Sequence, residues 1–129
     1  MIKLVVTFRK RTDLTREEFG HYWRNVHGPL AVRHAEALRI VRYSQSPNLH
    51  SEPIDQLVSQ RGWSGHADGQ TEIYWESEEE MTMAFASAAG QAASAELAAD
   101  EARFCDMSSV VAFLAAEDVV LDRTRRTAG

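Results

Sequence analysis

The sequence predicts an α+β domain in βαββαβ order, a four-stranded antiparallel sheet with its helices on one face. Three observations predict it. Four short runs are rich in β-branched and apolar residues, and two stretches between them repeat apolar residues at helical spacing. Both helical stretches open on a capping-box pattern. At 129 residues the chain suits one such domain, set at residues 1–120, with a flexible C-terminal tail at residues 121–129.

Residues 2–8, "IKLVVTF", are closed off by the charges of "RKRTD" and read as the first strand. Thr15 and Glu18 have capping-box spacing, after which Phe19, Tyr22, Trp23 and Val26 fall on one face of an amphipathic helix. His27-Gly28-Pro29 then interrupts it. Gly28 suits the left-handed position that ends a helix, and Pro29 opens a second helical piece, "PLAVRHAEA". Residues 38–46, "LRIVRYSQS", form a second strand ended by Pro47, and the span from there to Gly69 is expected to be irregular. "TEIYWES" is the third strand. Ser77 and Glu80 cap the helix "MTMAFASAA", which Gly90 is expected to break from an Ala-rich piece running to Phe104. "SSVVAFLAA" is the fourth strand.

Strands one and four are apolar at nearly every position, so both of their faces are expected to be buried. No further element remains to cover the second face. A bare apolar sheet face would aggregate, which points to a homodimer with two sheets meeting face to face.

The composition, 44% apolar and 26% charged, has the balance of a soluble globular chain. A net charge of −5 argues against nucleic acid as the main partner, because phosphate binding needs a basic face. The basic "DRTRRTAG" reads as a frayed end. Cys105 is the one cysteine, so a reducing, cytoplasmic setting is the simplest. The first apolar run precedes its basic residues, the reverse of a signal peptide, and no run approaches the ~18 apolar residues of a membrane span.

Chemistry concentrates in "FGHYWRNVHGPL", residues 19–30. On the helical wheel His27 lies one step round from Trp23, at the flank of the apolar face, whereas His21 lies nearly opposite. His27 is placed to look between helix and sheet, or else it ends the helix by bonding a loose carbonyl. A new helix start at Pro29 would let the N–H groups of Leu30, Ala31 and Val32 face a ligand oxygen beside a histidine able to move a proton. Phe8, Phe19, Tyr22 and Trp23 read first as core, yet an aromatic wall beside one histidine also makes a small-molecule pocket. Tyr43 and Tyr74 each offer a phenol to that pocket or cap the sheet edge. His34 reads as a surface or interface residue, and Trp63 with His66 as a surface turn or a lid.

His21, His27, His34, His50 and His66 show no HExxH and no cysteine pair, so no metal is expected. No GxGxxG follows a strand and "GWSGHADG" lacks the Gly-Lys-Ser/Thr of a phosphate loop, so no cofactor is expected either. Cys105, with Asp100, Glu101 and Asp106 nearby, should be inert.

The chain resembles the EthD family, within the dimeric α/β-barrel proteins with ferredoxin-like subunits. "MIKLVVTFRKRTDLTREEFGHYWRNVHGPL", "DGQTEIYWESEEEMTMAFAS" and "DEARFCD" carry the resemblance, which covers roughly residues 2–120. It implies a dimeric barrel and points to His27 as the polar residue of the pocket. It also implies kinship with dehydratases, isomerases and oxygenases that need no metal or flavin.

The expected function is a cofactor-independent dehydratase, isomerase or oxygenase acting on a small, largely apolar oxygenated or aromatic metabolite. His27 is the expected general acid/base, with Phe8, Trp23, Leu30 and Tyr43 contacting substrate. The alternatives are a non-catalytic binder or accessory protein of a catabolic oxygenase system, and a haem binder with His27 as axial ligand.

Overall fold

The structure is a computed structural model, which describes residues 1–65 and 67–124. His66 and residues 125–129 lie outside the described residues, so the reading of His66 as part of a lid and most of the tail fall there as well. The elements run β1 (Ile2–Lys10), α1 (Arg16–Tyr22), a π-helical turn (Trp23–His27), α2 (Gly28–Arg33), β2 (Arg42–Pro47), α3 (Glu52–Gln60), β3 (Gly69–Trp75), α4 (Glu78–Ala86), α5 (Ala88–Glu101) and β4 (Cys105–Ala115). The expected four-stranded antiparallel sheet is present, in the order β2-β3-β1-β4. Leu4 stands opposite Ile73 on one side and Leu114 on the other, and Val6 opposite Thr71 and Ala112. Because strand side chains alternate, these residues share the sheet face turned toward the helices.

The helical layer begins with the predicted capping box: Thr15 Oγ1 accepts from the Glu18 N–H and Glu18 Oε1 accepts from the Thr15 N–H. Phe19 and Trp23 then turn inward and meet Phe8 and Phe104 in an aromatic cluster, with Phe8 edge-on to Trp23 at 5.2 Å between ring centres. Each such pair adds roughly 0.5–1.5 kcal/mol beyond its area burial. This cluster fixes the first helix on the end of the sheet where β1 carries a register shift between Thr7 and Arg9.

At His27-Gly28-Pro29 the structure corrects the expected break. The backbone stays right-handed through His27 (φ −69, ψ −42) and Gly28 (φ −55, ψ −53), so Gly28 is not a left-handed helix terminator. A proline inside a helix lacks an N–H and crowds the carbonyl four residues back, and the widened π turn accommodates both effects without ending the helix. The Gly28 N–H bonds the Trp23 carbonyl, five residues back. Leu30, Ala31 and Val32 therefore do not open a fresh helix, and the anion-binding N-terminus expected there is absent. Gly28 serves packing instead: a Cβ there would stand 3.2 Å from Gln45 Nε2.

Three further boundaries differ. Residues 38–41 close the helical layer in turns, with Arg39 at φ +56, and the second strand starts only at Arg42 and includes Pro47 at its end. The 47–69 span holds α3, whose signals are Ser51 at the cap, Pro53 in the first turn and Gly62 at φ +65 past the end. The break in the second helical layer falls at Ser87, not Gly90. Ser87 is extended (φ −75, ψ 151), ends α4 and caps α5 by accepting from the Gly90 N–H. Gly90 is required because a Cβ there would lie 1.8 Å from the Ala84 carbonyl oxygen.

The other sheet face carries Lys3, Val5, Glu72 and Tyr74, with Val111 and Phe113 62% and 57% exposed. In the single chain β4 is thus not covered on both faces as its composition suggested. Among the described residues no helix is long and apolar enough to cross a membrane.

Candidate active site

Between the inner sheet face and the helical layer lies a cavity of about 220 Å³. Leu4, Val6 and Phe8 of β1, Ile73 and Trp75 of β3, Leu97 and Ala98 of α5, and Phe104 wall it with apolar surface. Its polar atoms come from His27, Tyr43, Thr71, Ser94, Glu101 and Cys105. A mostly apolar hollow with a few convergent polar groups is the usual form of a small-molecule site.

His27 is 5% exposed and ends the π turn. Its ring packs against Phe104 at 4.8 Å, and Nδ1 lies 2.8 Å from Asp100 Oδ2. Asp100 also accepts from the Tyr22 hydroxyl at 2.5 Å, in the short range of charge-assisted bonds. With Asp100 ionised, His27 donates Nδ1–H to it, and Nε2 is left with its lone pair as the ring's second polar atom. Burial pushes the His27 pKa below its ordinary value, and Asp100 offsets part of that by hydrogen bond and charge. Desolvation alone would raise the Asp100 pKa, but the bonds from Tyr22 and His27 outweigh it and hold the carboxyl below its usual range. The outcome is a neutral, oriented imidazole beside a carboxylate anion.

Of the other expected site residues, Phe8 (5% exposed) and Trp23 (2%) are both core and cavity wall. Tyr43 also lines the cavity; burial raises its pKa, so the phenol stays protonated. Gln45 donates through Nε2 to the Tyr43 oxygen (3.0 Å) and to the Trp23 carbonyl (2.9 Å), tying β2 to the π turn. Leu30 is buried but does not line the cavity; Ala31 takes that place. Tyr74 lies on the opposite sheet face, with Lys3 and Arg42 over its ring. His34 bridges α2 to α5 through Glu96 at 2.9 Å, and His21 is exposed beside Asn25. Trp63 is 55% exposed in a separate surface depression with α3, and so is no lid over the cavity. Cys105 is buried, and desolvation followed by the nearby Glu101 carboxyl pushes its thiol up to about 12, so it carries no thiolate.

Two functional candidates escaped the sequence reading. Asp100, noted there only for its effect on Cys105, orients His27. Glu101, the next residue, lines the cavity from the end of α5, and burial with the Asp100 charge raises its pKa. Their signal was a pair of carboxylates in a helix otherwise almost free of charge, "AAGQAASAELAADE".

A family model described as EthD domain matches residues 11–108. An EthD family protein from Bacillus halodurans superimposes with a TM-score of 0.62 at 16% identity, covering 92% of this chain and 99% of that one. An EthD-like protein from Ralstonia eutropha gives 0.57 at 18% identity, covering 97% and 96%. SnoaB from Streptomyces nogalater, described as a cofactor-independent oxygenase, gives 0.53 at 12% identity, covering 94% and 97%. No curated protein matches the chain.

Proposed function

The chain belongs to the EthD family, and from that premise we propose that it is a cofactor-independent enzyme of dehydratase, isomerase or oxygenase type. Its substrate is a small, largely apolar oxygenated or aromatic metabolite, and His27 is the general acid/base. The observation that carries this reading is the His27–Asp100 bond at the wall of an apolar cavity. A carboxylate on Nδ1 keeps Nε2 free to accept a proton from a substrate carbon or hydroxyl, and it stabilises the imidazolium that forms. Tyr43, protonated and positioned by Gln45, supplies a hydrogen bond to a substrate oxygen on which charge develops. Phe8 and Trp23 hold the flat apolar part. SnoaB, a cofactor-independent oxygenase on the same fold, supports this class of chemistry.

The exposed Val111 and Phe113 on the sheet face away from the helices support a homodimer joined through that face. The lone cysteine supports a cytoplasmic setting.

The test is a panel of hydroxyaryl ketones and polycyclic phenols, assayed for turnover with wild type and His27→Gln. Turnover by wild type that falls at least a hundredfold in the variant supports the acid/base role; equal turnover removes His27 from it. Saturable binding without product across the panel favours the accessory reading, and a Soret band on adding haem favours the haem reading.

A further inference from the structure

Glu101 has not been given a role by the acid/base reading of His27, although its carboxyl is among the few polar groups of the cavity. Among the described residues no hydrogen bond or ion pair reaches its side chain, which is only partly exposed. The groups around it are Asp100 on its own helix, His27 from the π turn, Tyr43 from β2 and Cys105 from β4; among the described residues no lysine or arginine lines the cavity. His27 is committed to Asp100, Tyr43 to Gln45, and Cys105 is a neutral thiol. Asp100 already holds one negative charge, so a second beside it in an apolar wall is disfavoured. Adjacent carboxyls are thereby pushed in opposite directions, Asp100 toward the anion and Glu101 toward the acid.

We propose that Glu101 is a protonated carboxylic acid that donates a hydrogen bond to an uncharged oxygen acceptor of the ligand, a ketone or aldehyde carbonyl, and so selects the substrate class. This rests on the cavity being the ligand site. An ionised carboxylate ligand meets repulsion from Asp100 and finds no cation among the described lining residues, whereas a hydrocarbon leaves the acid proton without an acceptor. A neutral carbonyl compound satisfies both conditions. The same bond would polarise that carbonyl, making a neighbouring C–H proton easier for His27 to remove.

The experiment compares 1-indanone with indane, two probes of nearly the same shape of which one carries a carbonyl, by isothermal titration to the full chain near neutral pH. Wild type is expected to bind the ketone about tenfold more tightly, the usual worth of one hydrogen bond to a buried donor. Glu101→Leu should lose that preference while still binding indane, and Glu101→Gln, which keeps an N–H donor, should retain most of it. Infrared spectroscopy of the unliganded protein at neutral pH should show one protonated-carboxyl stretch that Glu101→Gln lacks. Equal binding of the two probes by wild type, an unchanged preference in Glu101→Leu, or no such stretch would overturn the proposal while the cavity reading stands. If wild type binds neither probe, the cavity reading fails and this proposal with it.

Discussion

Replacing Asp100 by asparagine keeps the volume of the side chain and removes its charge and one of its two acceptor oxygens, which tests what the carboxylate does for His27. Asp100 accepts two bonds, from Tyr22 at 2.5 Å and from His27 Nδ1 at 2.8 Å, and its side chain is only 13% exposed. Asparagine keeps one acceptor oxygen and puts an NH2 donor in place of the other, so one bond becomes a neutral pair and the other loses its acceptor; bonds to a charged acceptor contribute about 1.5–3 kcal/mol net, against about 0.5–1.5 for neutral pairs. With one bond weakened and the other without its acceptor the protein should lose about 3 kcal/mol, a fall in Tm of roughly 8–15 °C for a chain of this size. The effect on the imidazole has a definite sign. Desolvation holds its pKa down and Asp100 pushes it back up, so losing the charge must lower the His27 pKa further. Chemical denaturation measures the first quantity, and NMR titration of the His27 ring protons measures the second. A His27 pKa that rises, or stability unchanged within about 0.5 kcal/mol, would refute the claim that Asp100 is an ionised partner of this ring.

Gly90→Ala should destabilise by about 2–3 kcal/mol or more in thermal unfolding, since its Cβ would lie 1.8 Å from the Ala84 carbonyl oxygen and α4 and α5 must move apart to admit it; a neutral substitution would contradict the packing of that junction. His27 is buried with its pKa held below 6.5, so the unfolded chain binds the proton more readily. Its contribution to stability is complete above that unfolded value and is lost as pH falls toward the folded one. Between about pH 8 and about pH 5 the Tm of His27→Gln should therefore fall less steeply than that of wild type. Glu101 has the opposite sign: its folded pKa is raised above 4.5, so stability is lost as pH rises, and Glu101→Gln should gain in Tm over wild type with increasing pH. Light scattering at micromolar concentration should give a dimer for wild type and a monomer for Phe113→Glu, and a monomeric wild type would sink the face-to-face arrangement.

What could be read from the sequence divides along the range of the interactions involved. Strand order and the two capped helices follow from local pattern, and Thr15 with Glu18 forms the box that its spacing announces. The 47–69 span was equally local, with Ser51, Pro53 and Gly62 in the places that start and stop a helix, but three glycines and two prolines outweighed them. At two other positions glycine is a space and not a backbone device. Gly28 is right-handed and Gly90 lies inside α5, and a Cβ would meet Gln45 Nε2 at 3.2 Å at the first and the Ala84 carbonyl oxygen at 1.8 Å at the second. No local pattern tells a glycine that bends the chain from one that admits a neighbour; only the packed partner decides.

The site shows the same limit more sharply. The wheel placed His27 at the flank of the aromatic face, where it is found, because that depends on one helix. Its partner lies 73 residues away on the last helix, and nothing in residues 19–30 points to it. Asp100 and Glu101 are adjacent in sequence and about 100° apart on the helix. One turns to the Tyr22–His27 pair and the other to the cavity, and these two surroundings drive their pKa values in opposite directions. A sequence reading that sees two acids near a cysteine can infer only that the thiol is suppressed. This opposition arises when α5 packs across the π turn, and it is what lets the proposed site pair a base at His27 with a donor at Glu101.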